Sequence, residues 1–376
     1  MDGWQTKFLG EVCTLQRGFD LPTQSRKPGS FPLVSSSGVI DSHDEGPIPA
    51  PGVVTGRSGS IGSVFFVEEP FWPLNTTLYV RDFKGNDPRF VYHLLNYFDL
   101  KSYAGGTGVP TLNRNDVHGV SVLVPKKVDE QRRIVAILDE AFDGIATAKA
   151  NAEKNMQNAH ELFNRLSAVV LDQLAPISRI ATLEDVAETG CSLSYGIVQP
   201  GEEVADGLPI VRPVDLNDSV VTLDGLKRID PALAKSYNRT TLKGNDILLC
   251  VRGTTGTLAL AGNELTGANV TRGIVPIRFD ATKLSQNFGF YLMRSEPVQM
   301  QIRKKTYGTA LMQINIRDLR KLTLLVPPKQ EQDIAVKRFD ELTAATDELV
   351  VTYQRKLAAL NDLKKSLLHQ AFSGQL

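Results

Sequence analysis

Arg57-Ser58-Gly59-Ser60-Ile61-Gly62 sets a forked guanidinium donor and two hydroxyls among glycines three residues apart, and Arg252-Gly253-Thr254-Thr255-Gly256 has the same character. Gly59 and Gly62 fall on Gly253 and Gly256 at an offset of 194. Arginine, asparagine, serine and threonine on tight turns suit hydrogen bonding better than acid–base chemistry. Residue types for other chemistry are present without the required spacing. His43, His93, His118, His160 and His369 include no two at metal-ligand spacing. Cys13, Cys191 and Cys250 are too scattered for a zinc site or a disulfide framework. Gly262-Asn-Glu-Leu-Thr-Gly267 has the length of a phosphate loop, but Ala268-Asn269 follows where lysine and a hydroxyl residue are required. There is no nucleophile elbow and no acidic cluster with an adjacent lysine. The chain reads as non-catalytic.

The glycine turns belong to a longer repeat. Thr107-Gly-Val-Pro-Thr-Leu-Asn113-Arg-Asn-Asp116-Val runs on to Val122-Leu-Val-Pro125 and Glu130-Gln131. It returns as Thr309-Ala-Leu-Met-Gln-Ile-Asn315-Ile-Arg-Asp318-Leu, Leu324-Leu-Val-Pro327 and Glu331-Gln332. Asn113 and Asn315, Asp116 and Asp318, and Pro125 and Pro327 share an offset of 202. Leu9-Gly-Glu-Val12 falls on Leu183-Glu-Asp-Val186 at 174, and Asn75 on Asn269 at 194. The growing offset places insertions in the second copy. A period this long is a domain duplication, not a solenoid. Two similar surfaces on a pseudo-two-fold scaffold suit a bipartite ligand, and duplex DNA with two half-sites is one.

Those turns must be held by strands. Gly52-Val-Val-Thr55, Ser63-Val-Phe-Phe-Val67, Thr77-Leu-Tyr-Val80 and Val120-Ser-Val-Leu-Val124 read as short strands. Asp246-Ile-Leu-Leu-Cys-Val251, Ile274-Val-Pro-Ile-Arg-Phe279 and Leu322-Thr-Leu-Leu-Val326 read alike. Arg89–Phe98 and Gln286–Ser295 are apolar enough for buried helices. Proline is absent from Pro125 to Pro176 and from Pro328 onward, and both stretches predict long helices. Steps of four and three from Ile134 pass through Leu138, Ile145, Leu162 and Leu166. The matching register in the second copy passes through Phe339, Leu342, Leu349, Leu360, Leu363 and Leu367. A sustained 3.5-residue period predicts a coiled coil, and a tandem duplication would run the pair antiparallel. A single long core helix in each half, broken near Gly144, is the plainer alternative.

Composition adds limits. In 376 residues, 42 basic side chains balance 42 acidic ones, so bulk charge is too weak to hold phosphate strongly without help from partner chains. No apolar run approaches the roughly 20 residues that span a bilayer. The start, Met1-Asp-Gly-Trp, has no signal-peptide pattern, which makes the cytoplasm the default compartment.

Phe31-Pro-Leu-Val-Ser-Ser-Ser-Gly38, Val54-Thr-Gly-Arg-Ser-Gly-Ser-Ile-Gly62, Phe71-Trp-Pro-Leu-Asn-Thr-Thr-Leu-Tyr79 and Gly108-Val-Pro-Thr-Leu-Asn-Arg114, each half then passing through Val-Pro and Glu-Gln into a long helix, resemble the specificity subunit of type I restriction–modification systems. The resemblance implies an α+β fold: two α/β target recognition domains, 1–125 and 176–327, joined by two long antiparallel coiled-coil helices, 126–175 and 328–376. It implies a DNA-binding, non-catalytic chain reading a bipartite, asymmetric site. Its partners would be two methyltransferase subunits, which bring S-adenosylmethionine for adenine N6 methylation, and a restriction–translocase subunit. This chain itself would hold no cofactor and no metal. Arg57, Ser58, Ser60, Asn75, Thr76 and Thr107 are then the base-reading candidates of the first head; Arg252, Thr254, Thr255, Arg272, Tyr307 and Thr309 are those of the second. Asn75 and Asn269 fit a base contact or a turn cap equally, and Asn113 and Asn315 fit a structural role better. A coiled-coil adaptor with two protein-binding heads, or the specificity half of another restriction type, are the rival readings.

Overall fold

Between the glycine turns, the β-branched runs become strands of two similar heads. The structure, a computed structural model, describes residues 3–105, 110–309 and 311–376. The chain divides into two compact units, Met1–Lys154 with Tyr353–Leu376, and Asn155–Thr352. Both combine mixed sheets with helices.

In the first unit an antiparallel sheet has the order Thr14–Arg17, Thr77–Asp82, Gly52–Gly56, Val64–Val67. The inner strand Gly52–Gly56 is buried throughout, as a strand covered on both faces must be. A second sheet runs Gly38–His43, Phe31–Ser35, Trp72–Pro73, its last pair parallel with Leu33 opposite Trp72. Trp4–Phe8 pairs with Ser121–Pro125, and Ala104–Gly105 with Thr111–Leu112.

Nearly every element recurs in the second unit. There the main sheet has the order Val220–Val221, Leu258–Ala261, Ile247–Cys250, Ile274–Ile277. The smaller sheet is Lys227–Ile229, Leu208–Val211, Asn269–Val270, again ending in a parallel pair. Arg179–Thr182 pairs with Thr323–Val326, and Thr306–Tyr307 with Gln313–Ile314. Helices Pro88–Tyr97 and Gln286–Arg294 begin at the caps Asp87 and Ser285.

Several duplicated residues are explained by this frame. The side chains of Asn113 and Asn315 accept from the N–H groups of Asn115 and Arg317, at 3.0 and 2.9 Å, and cap two short helices. Gln131 and Gln332, each 1% exposed, lock the first turn of each long helix to its head. Gln131 accepts from Asp87 N–H at 2.9 Å and donates to Asn86 at 2.7 Å. Gln332 accepts from Ser285 N–H at 2.8 Å and donates to the Lys283 and Pro327 carbonyls at 3.0 and 2.9 Å. Each amide thus ties down the cap of its head helix.

The long helices span Val128–Leu174 and Lys329–Phe372, the first unbroken at Gly144. Within the first unit their segments run antiparallel: Arg133 donates to the Leu376 carbonyl and Lys149 to Asn361. In the second unit Arg338 donates to Gln173 at 3.2 Å. Phe372 packs against Phe90, ring centres 5.4 Å apart, and Phe339 against Tyr291 at 4.8 Å. Ile134, Leu138, Ile145 and Phe339 are buried, and Leu342, Leu360 and Leu367 are half-buried.

The expected register does not hold along the whole length. Leu162, Leu166, Leu349 and Leu363 are 51%, 38%, 43% and 47% exposed. After Ala159 the inward positions become Phe163, Ser167, Val170, Leu171 and Leu174, a step of four where the strict heptad takes three. Val350 likewise turns inward in place of Leu349. An α-helix of 3.6 residues per turn drifts about 20° per heptad, so between Ile134 and Ala159 the facing stripe moves most of one residue and the seam shifts phase. Among the described residues, no helix is long and apolar enough to cross a membrane.

Candidate nucleic-acid interface

Each head lays a hairpin turn against a short strand pair. In the first, Arg57 directly follows strand Gly52–Gly56. Arg57 and Ser58 both donate their N–H to the Thr76 carbonyl, at 2.8 and 3.2 Å, and Leu112 N–H donates to the Arg57 carbonyl at 2.8 Å. Ser58 bridges to Thr111. Gly59 and Gly62 have φ of +80° and +85°, the left-handed region where a side chain is strained, so the turn returns within a few residues. The Arg57 guanidinium donates to the Asn75 carbonyl at 3.3 Å, and the Thr76 hydroxyl accepts from Ser36 N–H at 3.3 Å. Four of the first head's candidates, Arg57, Ser58, Asn75 and Thr76, are therefore joined by hydrogen bonds. Ser60 is exposed in the same turn, and Thr107 lies outside the described residues.

The hollow beside them has a volume of about 550 Å³, and Arg17, Arg57, Thr111, Asn113, Arg114 and Asp116 line it. Arg17 pairs with Asp20 at 3.2 Å, and Asp20 also accepts from the Asn75 amide. The sequence reading missed Arg17 and Arg114. Both adjoin residues shared by the two copies: Arg17 precedes Gly18 as Tyr195 precedes Gly196, and Arg114 follows Asn113 as Ile316 follows Asn315. A difference beside a shared residue was the available signal.

In the second head Val251 N–H donates to the Gly273 carbonyl at 2.8 Å and Ile314 N–H to the Val251 carbonyl at 3.0 Å. Val251 thus occupies the place of Arg57. Arg252, bridged to Gln313, occupies that of Ser58. The two arginines are not counterparts: Arg57 stands two residues before its glycine and Arg252 one, and adjacent strand residues face opposite ways. A second pairing also fails. Phe19 N–H donates to Pro73 and Ile197 N–H to Val270, which makes Arg272 the counterpart of Asn75 and Asn269 that of Trp72. Asn269 is 1% exposed, accepts from the Thr240 hydroxyl at 2.7 Å and donates to the Tyr237 carbonyl at 3.1 Å; it is a framework residue.

Thr254 and Thr255 hold the second turn through the Cys250 sulfur and the Met312 carbonyl, at 3.4 and 3.2 Å. Arg272 is exposed, Tyr307 is 50% exposed, and Thr309 is exposed in the turn between the paired strands. Tyr195 donates to the Ile314 carbonyl at 3.3 Å, and burial pushes its phenol above the ordinary value. Among the described residues, no group of acidic, histidine and cysteine side chains could hold a metal. The first head offers guanidinium donors and carboxylate and amide acceptors around its hollow, and the second offers hydroxyls, an arginine and two tyrosine rings at its turn, all groups able to meet base edges.

Two similar α+β heads, each continuing into a long helix, define a duplicated recognition scaffold. The model of the type I restriction modification DNA specificity domain matches residues 1–155 and 181–358, and the chain belongs to that family. Its task is DNA sequence specificity, and it is a recognition subunit rather than a catalyst. The chain is 25% identical over 414 residues to the type I restriction enzyme EcoBI specificity subunit of Escherichia coli, covering 100% of this chain and 86% of that one. It is 27% identical to the StySPI specificity subunit of Salmonella potsdam over 45% of this chain and 37% of that one. Among solved structures, a chain from work on assembly and conformational transition of the type I R-M system shares the fold with a TM-score of 0.77 at 19% identity, covering 100% of this chain and 99% of that one. The HsdS subunit from Thermoanaerobacter tengcongensis gives 0.55 at 20% identity, covering 100% and 98%.

Proposed function

We propose that residues 1–125 and 176–327 are two target recognition domains, each docking on one half of a bipartite, asymmetric site in duplex DNA. The helices 126–175 and 328–376 set the gap between the half-sites. They also form the platform for two methyltransferase subunits, which bind S-adenosylmethionine and methylate adenine at N6 in the cytoplasm. A restriction–translocase subunit joins the same assembly for cleavage. The observation that carries this reading is the pair of matched turn-and-strand frames, one per head, that keep a common backbone pairing and differ in their side chains. In the first head Arg57, Ser58, Ser60, Asn75, Thr76 and Thr107 read one half-site; in the second Arg252, Thr254, Thr255, Arg272, Tyr307 and Thr309 read the other. Co-expression with the cognate adenine methyltransferase, followed by mapping of methylated adenines across the host genome, tests it. One two-part, asymmetric motif is the expected result. Methylation without a motif, or an assembly that forms but ignores DNA, would favour an adaptor instead.

A further inference from the structure

The matched positions of the two heads carry different chemistry. Where the first head presents Arg17, Arg57 and Arg114, the second has Tyr195, Val251 and Ile316. The match is fixed by backbone pairing: Leu112 and Ile314 donate to the residues at the Arg57 position, and Phe19 and Ile197 follow the glycines after Arg17 and Tyr195. Gly105 faces Thr111 where Tyr307 faces Gln313. What both heads keep is the frame, Asn113 with Asn315 as caps and Asp116 with Asp318 one turn on. In the second head Tyr195, Tyr307, Leu311 and Met312 are between 42% and 50% exposed, and Arg252 bridges to Gln313.

Phosphates are alike under both heads, so groups that grip them have no reason to be arginine in one head and tyrosine or isoleucine in the other. Bases differ between half-sites. In the first hollow the Asp116 carboxylate stands among the guanidiniums. A carboxylate repels a phosphate but accepts from the amino group of cytosine, while a guanidinium forks onto the N7 and O6 of guanine. Three guanidiniums set together match the acceptor edges of guanines in the major groove. Arg17 and Arg114 are both exposed, and among the described residues Arg114 has no ion-pair partner, so its fork is free to turn toward a ligand.

We infer that Arg17 and Arg114, with Arg57, read guanine in the half-site bound by the first head. This rests on the DNA-recognition reading above. The second head, with Tyr195, Val251 and Ile316 at those positions, makes no such demand on its half-site.

The test uses the full chain in complex with its methyltransferase, assayed on duplexes altered one base pair at a time in each half-site and at several salt concentrations. Arg17→Ala and Arg114→Ala each relax one guanine position of the first half-site by roughly 5- to 150-fold and leave the second half-site as it was. Arg17→Lys and Arg114→Lys keep the charge, and so the salt slope, but lose the fork; they relax the same position. Should an alanine variant fail to fold, the lysine variant decides. Uniform weakening at an unchanged motif, with the salt slope lower by about one, overturns the inference in favour of phosphate contacts. An unchanged motif with unchanged affinity overturns it too. Failure of the recognition reading itself looks different, because the unmodified complex would then show no preference in either half-site.

Discussion

At the scale of single residues, Arg57 is restrained before any ligand arrives. Its guanidinium already donates to the Asn75 carbonyl at 3.3 Å, so little side-chain freedom is left to lose on binding. Replacing it with alanine is expected to cost roughly 1–3 kcal/mol of discrimination at one position of one half-site. A methylome of the Arg57→Ala strain measures that directly, and loss of discrimination in both half-sites would refute independent heads. His118 supplies a pH dependence. Its Nε2 accepts from Leu15 N–H at 2.9 Å, which only a neutral ring can do. Burial chiefly, and then the Arg114 charge, hold its proton affinity below the ordinary value; burial does the same to His93 against the opposing pull of Asp139. The unfolded chain therefore binds more protons than the folded one as the solution is acidified. The stabilisation is complete above the unfolded value of about 6.5 and fades as pH falls below it. Thermal unfolding followed from pH 7.5 down to pH 5.5 should show a falling midpoint, and His118→Gln, which keeps an acceptor, should show a shallower fall.

At the scale of elements, the helix pair is the part most open to engineering. Lys149 meets Asn361 and Arg133 meets Leu376, so a change in one helix alone would slide the pairing. Seven residues inserted after Ala148, matched by seven after Asp362, keep the seam in phase and add about 10 Å, close to three base pairs at 3.4 Å each. If the helices set the gap, the methylated motif lengthens by that amount with both half-sites intact; an active complex with the old gap would sink the idea. Much of this architecture was legible in the sequence. The strands, the two head helices and both long helices follow from β-branched runs, caps and the absence of proline, all local signals. The duplicated Gln131 and Gln332 were visible as a repeat, but their clamping role was not, because it depends on partners 44 and 47 residues away. Leu162 and Leu166 were misplaced because a strict heptad ignores the drift of a real helix. Arg57 and Arg252 were paired by residue type, although their distances to the glycines already differed by one, and one residue in a strand is a change of face.

At the scale of the whole molecule, balanced charge shapes how the chain meets DNA. With 42 basic and 42 acidic side chains, the chain has little bulk attraction for phosphate. Isolated, the chain should bind duplex DNA weakly, whereas the methyltransferase complex should bind tightly with a steep salt dependence. Fluorescence titrations of both across a range of salt compare them, and tight, sequence-specific binding by the lone chain at physiological salt would contradict the expectation.

The way the two units share the chain also bears on synthesis. The second unit, Asn155–Thr352, is one continuous stretch and can close as soon as it has left the ribosome. The first unit cannot. Its core includes Leu368, Ala371 and Phe372, and Tyr97 meets His369 across 272 residues of sequence. The head made first must wait, with the surface around Phe90 uncovered, until the head made second has been built. A nascent chain stalled before residue 368 would therefore carry a finished second head and an unsealed first one, and the apolar face left open is the one on which a holding chaperone would act.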